Sequence, residues 1–443
     1  MLKLIQILIA GITSSMFLFP IEFKVLPGLN TKLFLALSGL VVMGFHLAKG
    51  QKAEVQSNFI KLCTFASIVS LVGIISVTIN NTPDYTYAKY IFSMLVWLSA
   101  AFTLCTLIRS IHGYLDVELI TRYLVAVCVF QCSFALIMDN YPNFMEFIDA
   151  HIEQGQDFIH DLKDKRLYGL GAALDTAGIR FSAVLIMLGY CMMSKQKQQN
   201  NFITTLYSIS YIYIAIVGNF MARTTTVGIV LSLGYIIYAS GIWKLQLNRE
   251  NSQTSKVFFI IILIGTFISI FLYNTNKEFA HDIRFGFEGF FSLVETGEWN
   301  VASNNKLKTM YVFPENIHTW IIGDGYFNNP NFTDPYYVGH TTKGGYYMGT
   351  DVGYLRFIYY FGLIGLLAFS AFIIKTGQLA ARRLNCTPLI IMLVVLNFIV
   401  WLKVATDLFV ILSLFLLIDP EEKDSTEKDK ELEATTEVED ILT

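Results

Sequence analysis

The residues best equipped for chemistry in this sequence gather at the edges of its apolar runs. "GNFMARTTTVGIV" puts Arg223 in a very short turn between two such runs. Arg180 opens another in "DTAGIRFSAVL", Arg166 precedes it in "DKRLYGLG", and Arg284 follows a run in "HDIRFGF". A guanidinium is a planar fork of donors that fits phosphate oxygens and is never neutralised, so arginines at one level suit a diphosphate. Each could equally reach lipid headgroups with its stem in the apolar layer. Arg223 favours binding, because so short a turn needs no solubilising charge.

Two titratable groups lie at the same level. His340 in "YYVGHTTKGG" and Asp351 in "GGYYMGTDVGYLRFIYYFGLIG" could each accept a proton from a hydroxyl. Asp351 also reads as a cap for the free N–H groups of the helix that follows. Arg356 is five positions on, about 140° around a helix, so the two should not pair; Arg356 and Tyr360, four apart, can be neighbours. Tyr336, Tyr337, Tyr346 and Trp320 could stack on sugar rings or belong to an interfacial aromatic belt.

Other chemistries lack their motifs. There is no G-x-x-x-x-G-K-[ST], no H-E-x-x-H and no D-x-D in the short loops, so no nucleotide, metal or other cofactor is expected. The first predicted exterior loop, "IEFKVLPGLNTK", holds one acid, Glu22. The six cysteines suggest neither a disulfide framework nor a zinc site. No nucleic-acid partner is expected.

What must position these residues is a membrane bundle. The chain is 54% hydrophobic and 15% charged, and its apolar runs match the roughly 20 residues needed to cross a bilayer. The fold class is an all-α polytopic membrane protein. Spans are predicted at 3–19, 31–48, 58–79, 88–109, 117–138, 180–194, 202–219, 225–240, 257–273, 352–374, 388–403 and 407–418. That makes about twelve transmembrane helices, or eleven if the last two are one. The first run reads as a retained span. Lys and Arg in alternate short loops put both termini in the cytoplasm.

The organisation is therefore 1–138 (spans 1–5), 139–179 (an exterior loop with an amphipathic helix), 180–273 (spans 6–9), 274–351 (a large exterior loop), 352–418 (spans 10–12) and 419–443. Phe144, Phe147, Ile148 and Ile152 form the apolar stripe of the first loop. The second, with Trp299 and Trp320, reads as a small packed lid. From Asp419 onward eleven acids face three lysines, a net −8, so with −3 overall the rest carries +5. That tail reads as disordered and solvated.

"ARTTTVGIVLSLGY", "IHTWIIGDGYF" and "GTDVGYLRFIYYFGLIGLL" together resemble the O-antigen polymerases of lipopolysaccharide assembly and their relatives, the O-antigen ligases. The likeness covers most of the chain in layout. It implies a GT-C-like, metal-independent inverting glycosyltransferase of the bacterial inner membrane. Such an enzyme joins undecaprenyl-diphosphate-linked oligosaccharide repeat units at the periplasmic face. The resemblance implies Arg223 and Arg284 on the diphosphate, Asp351 or His340 as base, and a chain-length regulator and a flippase of the same pathway as partners beside membrane lipid. The chain departs from the pattern in two ways. His340 lies some eleven residues before the next span, unlike the ligase histidine, and the Arg-x10-Gly pairing is missing, with Cys at 191 and Glu at 295. A lipid-linked saccharide flippase, the rival of a different class, should carry charges deep in its spans and broken, duplicated helices.

Overall fold

Apolar stretches without interior proline fold here as helices, in a computed structural model that describes residues 2–48, 54–153, 166–194, 201–244, 252–332, 334, 336–339 and 345–419. The helices are α1 (Leu2–Leu18), α2 (Thr31–Ala48), α3 (Glu54–Asn80), α4 (Tyr90–His112), α5 (Val117–Asn140), α6 (Pro142–His151), α7 (Leu174–Met193), α8 (Asn201–Met221) and α9 (Thr225–Ser240). They continue as α10 (Ser252–Thr275), α11 (Lys277–Gly286), α12 (Glu288–Thr296), α13 (Ala302–Lys308), α14 (Ile317–Ile321), α15 (Gly353–Leu384), α16 (Thr387–Val400) and α17 (Phe409–Phe415). Seven are long and apolar enough to cross a membrane: α3, α4, α5, α7, α8, α10 and α15. Shorter apolar helices are α1, α2 up to Phe45, α9 and α16. At 7 residues, α17 is about 10 Å long, a third of a hydrocarbon core.

α2 packs on α4, α7 on α9, and α3 on α15. A two-stranded sheet, β1 (Glu22–Phe23) with β2 (Ile152–Glu153), is antiparallel and pairs Glu22 with Glu153. It clips the α1–α2 loop to the end of α6. Of the predicted α6 stripe, Phe144 and Ile148 pack inward beside Tyr168, Ile152 is buried in β2, and Phe147 stays exposed. His340 and the tail from 420 lie outside the described residues.

Three predicted boundaries shift. α7 starts at Leu174, so Arg180 is buried in its second turn instead of opening the helix. α15 runs to Leu384, ten residues past the expected end. α16 and α17 are separated by residues 401–408, which contain Lys403 and Asp407.

The other departure is a break inside α15. Phe361 (φ −142°, ψ 20°) and Gly362 (φ 66°, ψ −172°) leave the helical region. Two carbonyls near the break are taken up by the lid: Asp324 N–H donates to Tyr359 O at 2.6 Å and Gly325 N–H to Tyr360 O at 3.1 Å. A Cβ on Gly362 would stand 2.0 Å from the Ile321 carbonyl oxygen, so only glycine fits. The end of α3 completes the joint. Ser76 Oγ donates to Tyr360 O (2.6 Å), Asn80 Nδ2 to Gly323 O (2.9 Å) and Thr82 Oγ1 to Gly325 O (2.8 Å). Asp84 Oδ2 accepts from the N–H groups of Phe327 (2.8 Å) and Asn328 (3.2 Å). "IIGDGYF" is thus a docked turn whose glycines and polar neighbours satisfy backbone groups left over by the break.

Candidate functional site

Four chain segments meet at the lid-bearing end of the bundle: the start of α7, the α8–α9 turn, the entry to α15 and residues 401–408. Asp175, in the first turn of α7, accepts from Thr224 Oγ1 and from Lys403 Nζ, the latter at 2.5 Å. Lys403 Nζ also reaches Thr224 Oγ1 at 3.3 Å. Asp351 lies within electrostatic reach of both Asp175 and Lys403.

Asp351 does not cap α15. The cap position is Val352, with no side-chain hydrogen bond, because the helix begins one residue later than a cap at 351 requires. Lying outside the helix, Asp351 also escapes the 100°-per-residue spacing, and it does face Arg356: Oδ1 and Nη1 are 3.7 Å apart. Arg356 is only 6% exposed, with Nη2 donating to Phe327 O and Asn328 Oδ1, both at 3.2 Å. Its guanidinium lies 3.7 Å from the Phe327 ring centroid and 4.5 Å from that of Tyr346. Tyr360 is not its partner; the Tyr360 hydroxyl donates to Asp84 O at 2.9 Å and accepts from the Tyr87 and Ala88 N–H groups.

Asp351 Oδ1 and Arg356 Nε are both buried without a hydrogen bond. Burial raises the Asp351 carboxyl to about 6, while Arg356 and a hydrogen bond from Tyr346 pull the other way. The result is a carboxyl poised near neutral pH, beside a fixed cation, with unspent hydrogen-bonding capacity.

The four arginines divide. Arg166 and Arg223 share one ring, at 5.4 and 4.1 Å from the Phe285 centroid. Arg223 is heavily engaged: Nη2 is 2.7 Å from Glu288 Oε2, Nε donates to Phe285 O (2.9 Å) and Nη1 to Ser303 Oγ (3.2 Å). It ties the lid helices α11–α13 to the α8–α9 turn. Arg166 has no hydrogen bond or ion pair among the described residues. Arg284 pairs instead with Glu295 (2.6 Å) and Tyr273 Oη (2.7 Å). Arg180 sits about 7.5 Å deeper than Asp175 along the axis of α7.

The aromatic candidates also separate. Tyr346 is in the cluster under Arg356, and Tyr336 is 89% exposed. Tyr337 and Trp320 belong to the lid core with Tyr326 and Tyr347; Trp320 Nε1 donates to Pro314 O at 2.9 Å. Burial raises the Asp324 carboxyl, which accepts from Thr319 and Tyr347, so this acid is structural.

Asp175, Lys403 and Glu288 escaped the sequence reading. Lys403 stood at the edge of a predicted span, and the charges in "WLKVATD" were the available sign that the run is interrupted. Among the described residues no group of three His, Cys, Asp or Glu side chains could hold a metal ion. No protein-family model matches this chain, nor does any curated protein or solved structure.

Proposed function

We propose that this chain is a membrane-embedded glycosyltransferase that polymerises undecaprenyl-diphosphate-linked repeat units, as its resemblance to O-antigen polymerases implies. The supporting observation is the Asp351–Arg356 pair, a partly buried carboxyl raised to about 6 and a fixed cation at one end of an apolar bundle. In this reading Asp351 takes the proton of the acceptor hydroxyl. That oxygen attacks the anomeric carbon of the growing chain from the far side. The bond to the diphosphate breaks, and the diphosphate leaves with the electron pair. Arg166 meets its charge, joined by Arg223 once Glu288 gives way. Tyr346 and Tyr336 offer ring faces to the sugars.

The reading includes a GT-C-like bundle of about twelve spans in the inner membrane, both termini cytoplasmic. Its partners are the chain-length regulator and the flippase. The ligase alternative uses the same donor. One observation favours the flippase alternative: α15 is broken in mid-helix, as transporter helices often are. Here, however, the lid occupies the break.

Genetic deletion separates the three. Loss of the polymerase leaves lipopolysaccharide with a single repeat unit. Unsubstituted lipopolysaccharide with accumulated lipid-linked polymer would make the chain a ligase. Repeat units trapped on the cytoplasmic face would make it a flippase.

A further inference from the structure

Below the Asp351 cluster the bundle buries two more cations that have no partner to match them. Arg180 is 9% exposed, and Lys32, in the first turn of α2, is half-buried. Neither makes a hydrogen bond or ion pair among the described residues. Both lean on one indole: Lys32 Nζ is 4.7 Å and Arg180 Cζ 5.9 Å from the Trp97 centroid, and Arg180 is 5.6 Å from the Phe19 ring. Cation–π contact recovers only a part of what it costs to bury an ion. The rings alone do not compensate two charges.

Asp407 is the acid within electrostatic reach of both. Its carboxylate already accepts from Phe409 N–H (2.9 Å) and contacts Tyr90 Oη at 3.5 Å. With Asp407 ionised, two cations against one carboxylate leave a single positive charge. A diphosphate, with two or more negative charges, would overfill that balance. A monoanion closes it.

We propose that Lys32 and Arg180, backed by Trp97, form a pocket for one carboxylate carried by a saccharide, so that the substrate contains an acidic sugar. Arg180 lies about one and a half turns below Asp175 on the same helix, and the pair is within electrostatic reach of Asp407, in the segment that also holds Lys403. An acidic residue of the repeat unit would thus be gripped while a neighbouring sugar lies at Asp351. The proposal rests on the glycosyltransferase reading for the saccharide origin of the anion, but its test needs no transfer.

Purified full-length protein in detergent micelles is melted at fixed ionic strength with glucuronate, glucose or inorganic phosphate. Glucuronate should raise Tm saturably, and glucose should not. Arg180→Met should abolish the response. Lys32→Gln, at a less deeply buried position and so less prone to misfolding, should raise the half-saturating concentration roughly tenfold, the value of one lost charge-assisted hydrogen bond. Responses to glucuronate unchanged in both variants, or no response in the wild type, overturn the pocket. Phosphate matching glucuronate overturns the sugar assignment. A deletion phenotype of a ligase or flippase would remove the polymerase reading while leaving this binding result standing.

Discussion

Asp351 and Arg356 meet because neither obeys the helix geometry that sequence spacing assumes. Asp351 precedes the helix, so its carboxylate is free to turn toward the guanidinium, yet the pairing at 3.7 Å is too long to offset burial. The stability consequence has a definite sign. The carboxyl lies at about 6 in the fold against an ordinary 3.8, so the fold prefers the neutral form. Its contribution is fully present below 3.8 and is lost as pH rises through 6. At pH 7.5 the ionised group costs on the order of 3 kcal/mol. Asp351→Asn, which keeps shape without charge, should therefore raise Tm at pH 7.5 and leave it unchanged near pH 3. It should also reduce polymerisation by at least about a hundredfold, the usual loss on removing a general base. The wild-type rate should climb across pH 6 as the base ionises. A helix cap would behave otherwise, since asparagine caps as well as aspartate. Normal polymer in the variant would remove Asp351 as the base, and an unshifted Tm would show that its burial carries no cost.

At the scale of elements, the joint between the lid turn and the break in α15 accounts for a motif the sequence could only quote. Glycines in "IIGDGYF" and "FGLIG" looked like separate features; in space Gly323 and Gly362 face each other's backbones, with a Cβ on Gly323 meeting Phe361 N at 2.6 Å. Gly362 also sits at φ 66°, ψ −172°, a region essentially reserved for glycine. Gly362→Ala should destabilise the protein by at least about 3 kcal/mol from backbone strain and the clash with Ile321 together. Gly234 in α9 has open space where a Cβ would go, so Gly234→Ala should be neutral or gain up to about 1 kcal/mol. Thermal melts of the two variants decide this, and equal melts would refute the joint. The helices themselves were legible because long, nearly uncharged apolar runs have few other folds. The cluster was not, because Asp175 and Lys403 are 228 positions apart and only packing brings them together. Arg180 differs for a related reason: the charge suggests a helix start, whereas the polar segment "LDTAG" is already helical.

The whole molecule is held at its lid end by two unlike fastenings. Residues 323–328 are bonded through backbone and buried polar groups to α3, the α3–α4 turn and α15, whereas α11–α13 are joined to the α8–α9 turn by Arg223 and rest on the end of α8 through Phe279 against Phe220. The first has several hydrogen bonds away from water, the second one partly exposed cation with three partners beside an aromatic contact at the end of α8. They should open independently. Arg223→Ala should speed amide exchange across 277–308 severalfold and leave 323–328 protected. Simultaneous loosening of both would show that the lid is one cooperative unit. The same arginine is a diphosphate candidate, and Glu288 separates the roles. If Arg223 only fastens, Glu288→Gln should loosen 277–308 and lower polymer yield as Arg223→Ala does. If Arg223 binds the leaving diphosphate, Glu288→Gln releases it for that task. Polymer length should then hold or rise while the exchange still quickens, because Glu288 competes with phosphate for the same guanidinium. Polymer yield and amide exchange falling out of step in the Glu288 variant is the signature of a binding arginine, and their moving together would reduce it to a clamp.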